Sequence, residues 1–309
     1  MAGKGGVGKT TVSATLARAA ALAGLSTLIV EVEGRSGLPG MFGQAELGYD
    51  EVVLAPGGGP DGAADVRART LTADAALVEY LRDHGLSRIS RRLVASGALD
   101  VVATAAPGIK DILLLGKVKQ LEREGVADLI VLDAPAAGHA ITFLQSARSL
   151  LDTVSVGPIN AQARDVLELL EDHRRCQVVL VTLPEETPVN EAVDTAFSLE
   201  DRVGIGLGPI VVNGVYPDLA GLAADPGAAA TAADVSLRPG EADTLSAAAA
   251  FRRDRMALQA AQVARLESQL PLPQLRLPFL FTTDIGPAEL EALSRALLDE
   301  VEALVGLPA

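Results

Sequence analysis

The chain has 309 residues, and its 40 acidic against 26 basic side chains give a formal net charge of −14. That balance argues against nonspecific nucleic-acid binding, which needs a basic footprint, and against adhesion to anionic lipid. Apolar residues make up 49% but aromatics only 3%, with no Trp, so the core has to be built from Ala, Val, Leu and Ile.

The first element is the most informative. Gly3-Lys4-Gly5-Gly6-Val7-Gly8-Lys9-Thr10-Thr11 satisfies the phosphate-loop pattern G-x-x-x-x-G-K-[ST]. Glycines let the backbone wrap a phosphate with its amide N–H groups turned inward as an anion nest. The helix expected from Thr10 to Gly24 adds its positive dipole end. Lys9 is suited to bridge the outer phosphates and the Thr10 hydroxyl to hold Mg²⁺. Only Met1 and Ala2 precede Gly3, where a buried strand of about five residues is expected. The expectation is a truncated start or a first strand missing its beginning.

Thr27-Leu28-Ile29-Val30 reads as a parallel strand covered on both faces. A Gly-rich stretch, Gly34 to Gly48, follows, and Pro56 to Gly62 is a break. Helical material from about Asp74 to Ser96 suggests a helical insertion over residues 60–98. Strands are expected at Leu99 to Thr104, Ala127 to Leu132, Thr153 to Val156, Gln177 to Thr182 and Pro209 to Val212. Helices are expected at Asp111 to Glu124, Ala161 to His173 and Val189 to Val203. Residues 217–250, rich in Ala, Asp, Gly and Pro, read mostly as a mobile loop, with Ala247 to Ala250 as a candidate start of the next helix. A helix from about Arg253 to Leu270, a short strand within Pro271 to Phe281 and a last helix from Pro287 to Val305 complete the pattern. Alternating strands and helices predict a single α/β domain with a doubly wound, mainly parallel sheet.

The strand Asp128 to Asp133 delivers a carboxylate to the edge of the sheet where ligands bind, the place for a second Mg²⁺ contact. Two acids, Glu31 and Glu33, fall on one face of the strand before it, so geometry alone does not separate them. Cys176, the single cysteine, excludes an internal disulfide and fits a reducing cytoplasm. No apolar run approaches the roughly 20 residues needed to cross a bilayer, and no secretory leader is evident.

The second lysine, Lys4, is not required by the phosphate-loop pattern. Its place in GKGGVGKT resembles the deviant phosphate loop of the MinD, ParA, nitrogenase iron protein and ArsA ATPases. The segment Asp133-Ala134-Pro135-Ala136-Ala137-Gly138-His139 resembles the switch II segment of ArsA/GET-type ATPases, with Ala137 in place of the usual Thr. Glu31-Val32-Glu33-Gly34-Arg35-Ser36-Gly37, in an Ala- and Gly-rich chain, looks most like the bacterial, actinobacterial ArsA-like ATPases. Thr104 to Asp111 and Leu277 to Leu280 resemble further family segments, so the likeness extends from residue 3 to about residue 280.

The resemblance implies an Mg-dependent ATPase acting as a nucleotide-gated homodimer, or as a heterodimer with a paired homologue, in service of a protein client. It implies that Lys4 reaches the partner's nucleotide, that Gly138 offers an N–H to the γ-phosphate, that Asn213 reads the adenine edge and that Pro278 and Phe279 pack around the base. By register Glu33, at the strand's end, stands where relatives carry the switch I Asp that orients the attacking water, and Glu31 is the competing candidate. A thiolate metalloid site and a paired-cysteine zinc clasp are excluded by a single cysteine. The acidic last helix speaks against a positioning ATPase on membrane or DNA. A non-hydrolysing ATP-binding subunit paired with an active homologue is the alternative of a different class.

Overall fold

In the computed structural model, residues 1–32, 37–59, 62–83, 108–135 and 137–306 are described. Their strands fall into two hydrogen-bonded sets. The first contains β1 (Thr27–Val32), β2 (Val52–Ala55), β3 (Val66–Leu71) and β4 (Leu129–Asp133), in the order β2-β3-β1-β4. The second contains β5 (Gln177–Thr182), β6 (Gly206–Val215) and β7 (Gln274–Pro278), in that order. All described neighbours run parallel except β2 against β3.

Two residues bridge the sets. Ala2 N donates to Val179 O at 3.0 Å, and Val181 N donates to Ala2 O at 2.8 Å. The Met1 amino group donates to Leu132 O at 2.7 Å. Met1 and Ala2 thus stand where a full strand between β4 and β5 would stand. Beside them, between β4 and β5, lies a cavity of about 340 Å³ lined by Leu115, Ile130, Leu144, Leu170 and Val178 among others.

The helices are α1 (Lys9–Leu22), α2 (Leu38–Met41), α3 (Ala73–Asp83), α4 (Ile109–Glu124), α5 (Ala137–Thr153), α6 (Pro158–Glu171), α7 (Glu186–Val203), α8 (Pro226–Ala232), α9 (Glu241–Gln269) and α10 (Pro287–Val305). Alternation along the strands sorts the core into two layers, as a sheet buried on both faces requires. Leu28 and Val30 of β1 point toward α4 to α7, whose Ile112, Phe143, Val166 and Leu199 fill that side. Ile29 and Val131 point the other way, onto Ala14, Ala17 and Ala21 of α1. These small side chains let α1 lie close to the sheet, and Ile29 with three alanines fills the space that aromatic residues would otherwise occupy. Val7, Val12, Val181 and Val211 join Leu293 and Leu297 of α10 in a third cluster. The phosphate loop is therefore anchored through Val7 in apolar packing shared by α1, α10, β5 and β6.

The strands are mainly parallel with helices on both faces, as predicted, but they form two hydrogen-bonded sets, and three local expectations are corrected. Val66–Leu71, expected within a helical insertion over 60–98, is β3 and pairs with β1; only Ala73–Asp83 of that stretch is described as helix. Thr153 to Val156, expected as a strand, is the end of α5 and a following loop, with Val156 exposed. Residues 217–250, expected as loop, contain α8 and the first turns of α9, which starts at Glu241. Asp225 accepts from Ala228 N as the cap of α8, and Glu241 and Asp243 place negative charge in the first turn of α9. The expected strand Leu99 to Thr104 lies outside the described residues.

Candidate functional site

The loop Gly3 to Gly8 crosses from Met1 and Ala2 to α1, and the glycines at its two ends stand where a side chain would not fit. A Cβ on Gly3 would run into the carbonyl oxygen of Val181 on β5. Gly8, the N-cap of α1, has φ 87°, and a Cβ there would run into the Asn213 amide. Gly6 has φ 86°, and a Cβ on Gly5 or Gly6 would meet only open space. The middle of the loop is thus bare backbone facing outward, with the helix N-terminus behind it, which is the arrangement a phosphate group requires.

Lys9 and Thr10 open α1. Lys9 Nζ donates to the Lys4 carbonyl at 3.1 Å, so the ammonium is folded onto its own loop. Burial pushes its pKa down, and the Asp133 carboxylate partly opposes that. Thr10 Oγ1 donates to Asp133 Oδ2 at 2.7 Å, and Ser13 Oγ donates to Asp133 Oδ1 at 3.0 Å. Asp133, the last residue of β4, is therefore held by two hydroxyls of α1. Ser13 was not singled out in the sequence; its spacing of three from Thr10, which puts both on one helix face, is the signal that finds it. Thr11, the next residue of α1, is half-buried.

A hydroxyl and a carboxylate in contact beside a bare-backbone loop are hard oxygen donors, and Mg²⁺ takes one or two such protein groups together with phosphate oxygens. Thr10 and Asp133 fit that need.

Glu31 is 4% exposed, accepts from Thr70 Oγ1 at 2.9 Å and lies opposite Asp133 in the β1–β4 register. Its carboxylate is engaged inside the sheet layer. Glu33 lies outside the described residues. Gly138 sits in the first turn of α5, exposed, where backbone N–H groups have no intrahelical partner. His139 follows it, also exposed.

Asn213 of β6 faces the loop: its Nδ2 donates to Val7 O at 3.0 Å. That bond uses the amide donor and leaves Oδ1 available. Next to it, Phe279 packs on Gly214 and donates its backbone N–H to Val215 O at 2.8 Å, directly after Pro278 ends β7. Phe279 meets Tyr216 edge-on, with ring centroids 5.1 Å apart, and Phe281 at 4.8 Å. Arg252 lies 4.2 Å over the Tyr216 ring. Pro278 and Phe279 are thus brought beside Asn213, and Tyr216, Phe281 and Arg252 join them without any motif in the sequence to announce it. Lys4 does not face the loop's centre; its ammonium pairs with Glu191 of α7 at 2.6 Å.

Residues 1–157 match the anion-transporting ATPase family. The chain is 35% identical over 222 residues to the ATPase BagA of Mycobacterium tuberculosis, an alignment covering 70% of this chain and 64% of that protein. It is 29% identical over 235 residues to a putative arsenical pump-driving ATPase of Halobacterium salinarum, covering 70% and 35% of the two chains. It is 29% identical over 142 residues to the ATPase get3 of Schizosaccharomyces japonicus, covering 46% and 41%. The chain spans less than two-thirds of the length of each of these relatives. Among the described residues, no helix is long and apolar enough to cross a membrane.

Proposed function

This chain belongs to the anion-transporting ATPase family, and on that premise we propose that it is an Mg-dependent ATPase working as a nucleotide-gated dimer in the cytoplasm. The observation that carries the reading is the Thr10–Asp133 contact at the foot of the phosphate loop. A hydroxyl and a carboxylate are held together by the fold beside a lysine whose ammonium has only a backbone carbonyl to bind in the same loop.

Each residue then has a task. Gly3, Gly5, Gly6, Val7, Gly8 and Thr11 shape and anchor the cradle. Lys9 leaves the Lys4 carbonyl and takes phosphate oxygens, which concentrate more negative charge than a peptide oxygen. Thr10 and Asp133 hold the Mg²⁺ that accompanies ATP, and Ser13 keeps Asp133 oriented. The metal, when bound, neutralises charge on the phosphates. Glu33 orients the attacking water and accepts its proton. Gly138 offers its N–H to the terminal phosphate, and the segment before α5 reports whether that phosphate is present. Asn213 reads the adenine edge through Oδ1, with Pro278 and Phe279 against the ring. Lys4 meets developing charge on the nucleotide of a second chain. The partner is a second copy or a homologue.

Steady-state ATP hydrolysis with Mg²⁺, wild type beside Glu33→Gln, tests the reading. Turnover that falls at least about a hundredfold in the variant is the expected result. Tight ATP binding with no turnover in either protein would overturn it in favour of a non-hydrolysing subunit. The Glu at position 33 and the Ala at 137 favour that second reading.

A further inference from the structure

Lys4 is the side chain of the loop given to a second chain's nucleotide, and in this structure it is engaged at home. Its Nζ donates to Glu191 Oε1 at 2.6 Å, across 187 residues of sequence. Glu191 lies in the second turn of α7 and is held on a supported surface. Arg265 of α9 donates to the side chain of Asn190, the preceding residue. Arg255 of α9 pairs with Glu185, the N-cap residue of α7, at 3.4 Å. Glu191 therefore stands on a helix whose neighbouring side chains are tied to α9.

The other side of α7 packs on α5. That helix begins at Ala137, just past Asp133, and carries Gly138 in its first turn. A movement of α5 against the terminal phosphate is thus transmitted to the helix that holds Glu191. The same loop residue is restrained twice, because the Lys4 carbonyl also accepts from Lys9 Nζ. When ATP draws Lys9 away from that carbonyl, the backbone restraint is released and the Lys4–Glu191 contact is the one still to open.

We propose that Glu191 is a positioning residue for Lys4, a latch that holds the ammonium against α7 in the nucleotide-free chain and has to open before two chains close over ATP. This rests on the dimer reading above. Lys4 and Glu191 are 36% and 41% exposed, and an exposed pair shifts an equilibrium by severalfold rather than by orders of magnitude. A restraint of that size withholds Lys4 from premature association, yet yields to the charge of a triphosphate.

The test compares the wild-type chain with Glu191→Gln, which keeps the side-chain length and removes the charge. Nucleotide-free protein is first treated with a small amine-acylating ester, and modification of Lys4 is measured by peptide mass spectrometry relative to Lys110. The variant should be modified at Lys4 about two to five times faster. Self-association with Mg-ATP is then followed by sedimentation. The variant should associate about two to five times more tightly, and the gain should vanish in a Lys4→Ala background. An unchanged acylation rate overturns the latch. So does a faster rate with self-association equal to that of an associating wild type. A wild type that binds Mg-ATP and stays monomeric at every concentration removes the dimer reading itself, in the arm where Glu191 is untouched.

Discussion

The two sheets contribute to the site in different ways. The four-stranded side supplies groups with charge and hydrogen-bonding work to do: Asp133 at the end of β4, Thr10 and Ser13 on the helix above it, and Glu31 beneath. The three-stranded side supplies fit. The Val181 carbonyl presses on Gly3, the Asn213 amide presses on Gly8 and binds Val7, and Glu191 draws Lys4 aside. Chemical groups are recognisable by residue type at a motif position. Fit is a matter of approach between segments some two hundred residues apart, such as Val7 and Asn213, and it decides whether the loop has the right shape before any phosphate arrives.

The comparison can be broken by substitutions on either side. The largest effect is expected from Lys9→Ala, with ATP turnover down at least about a hundredfold. Thermal unfolding should place its stability within about 0.5 kcal/mol of wild type, because among the described residues the Lys9 ammonium bonds only to its own loop. Gly8→Ala strikes where the two sides touch. It forces a left-handed backbone onto an L residue and displaces Asn213, so denaturant titration should show a loss of about 2 kcal/mol together with weakened nucleotide binding. Asn213→Ala removes one hydrogen bond to the loop and should cost about 1 kcal/mol of stability, with turnover at saturating ATP largely kept. If turnover in Asn213→Ala fell as far as in Lys9→Ala, the division between chemistry and fit would be wrong.

The smallest effect concerns the stub. Burial pushes the Met1 amino group below its ordinary pKa of 8.0, against the pull of Asp133. The folded chain therefore favours the neutral amine, and below pH 8 the unfolded chain binds more protons there. From this group alone, stability rises as pH climbs from the depressed folded pKa toward 8.0 and is level above it. Acetylating Met1 should remove that part of the slope, read as the difference in melting temperature between pH 6.5 and pH 8.5. The amide that results still donates to Leu132, and the adjoining cavity has room for the acetyl group.

The half of the site made of chemistry was legible in the sequence: the loop, the acid ending β4 and the amide of β6 are residue types at fixed positions along strands and turns. Asn213 was legible as a residue but not in its bond to Val7, since nothing local to either segment records their approach. The alternation in Val-Arg-Ala-Arg is itself a strand signal, and β3 was hidden by the Gly- and Pro-rich break before it and the helical pattern that follows. Arg69 is nonetheless buried, stacked 4.5 Å over the Tyr49 ring, a tertiary contact that overrides the local pattern. Thr153 to Val156 has strand composition, but α5 runs through Thr153 and leaves Val156 in solvent. The early start of α9 was hidden by an Ala-rich stretch whose helix signal lay in Gly240 and the two acids behind it.

The stub also sets an order of events. The bond from the Met1 amino group to Leu132 spans 131 residues, and Ala2 reaches further still, to Val179 and Val181. Closing so long a loop adds little to the free energy, since each doubling of length costs only about 0.6 kcal/mol. In time it is costly, because contacts between distant segments form slowly. Met1 and Ala2 are seated only after β5 exists to receive them. The phosphate loop hangs from those residues, so the capacity to bind nucleotide arrives near the end of folding, and a nascent chain that stops short of Thr182 has nowhere to hold the loop's leading edge.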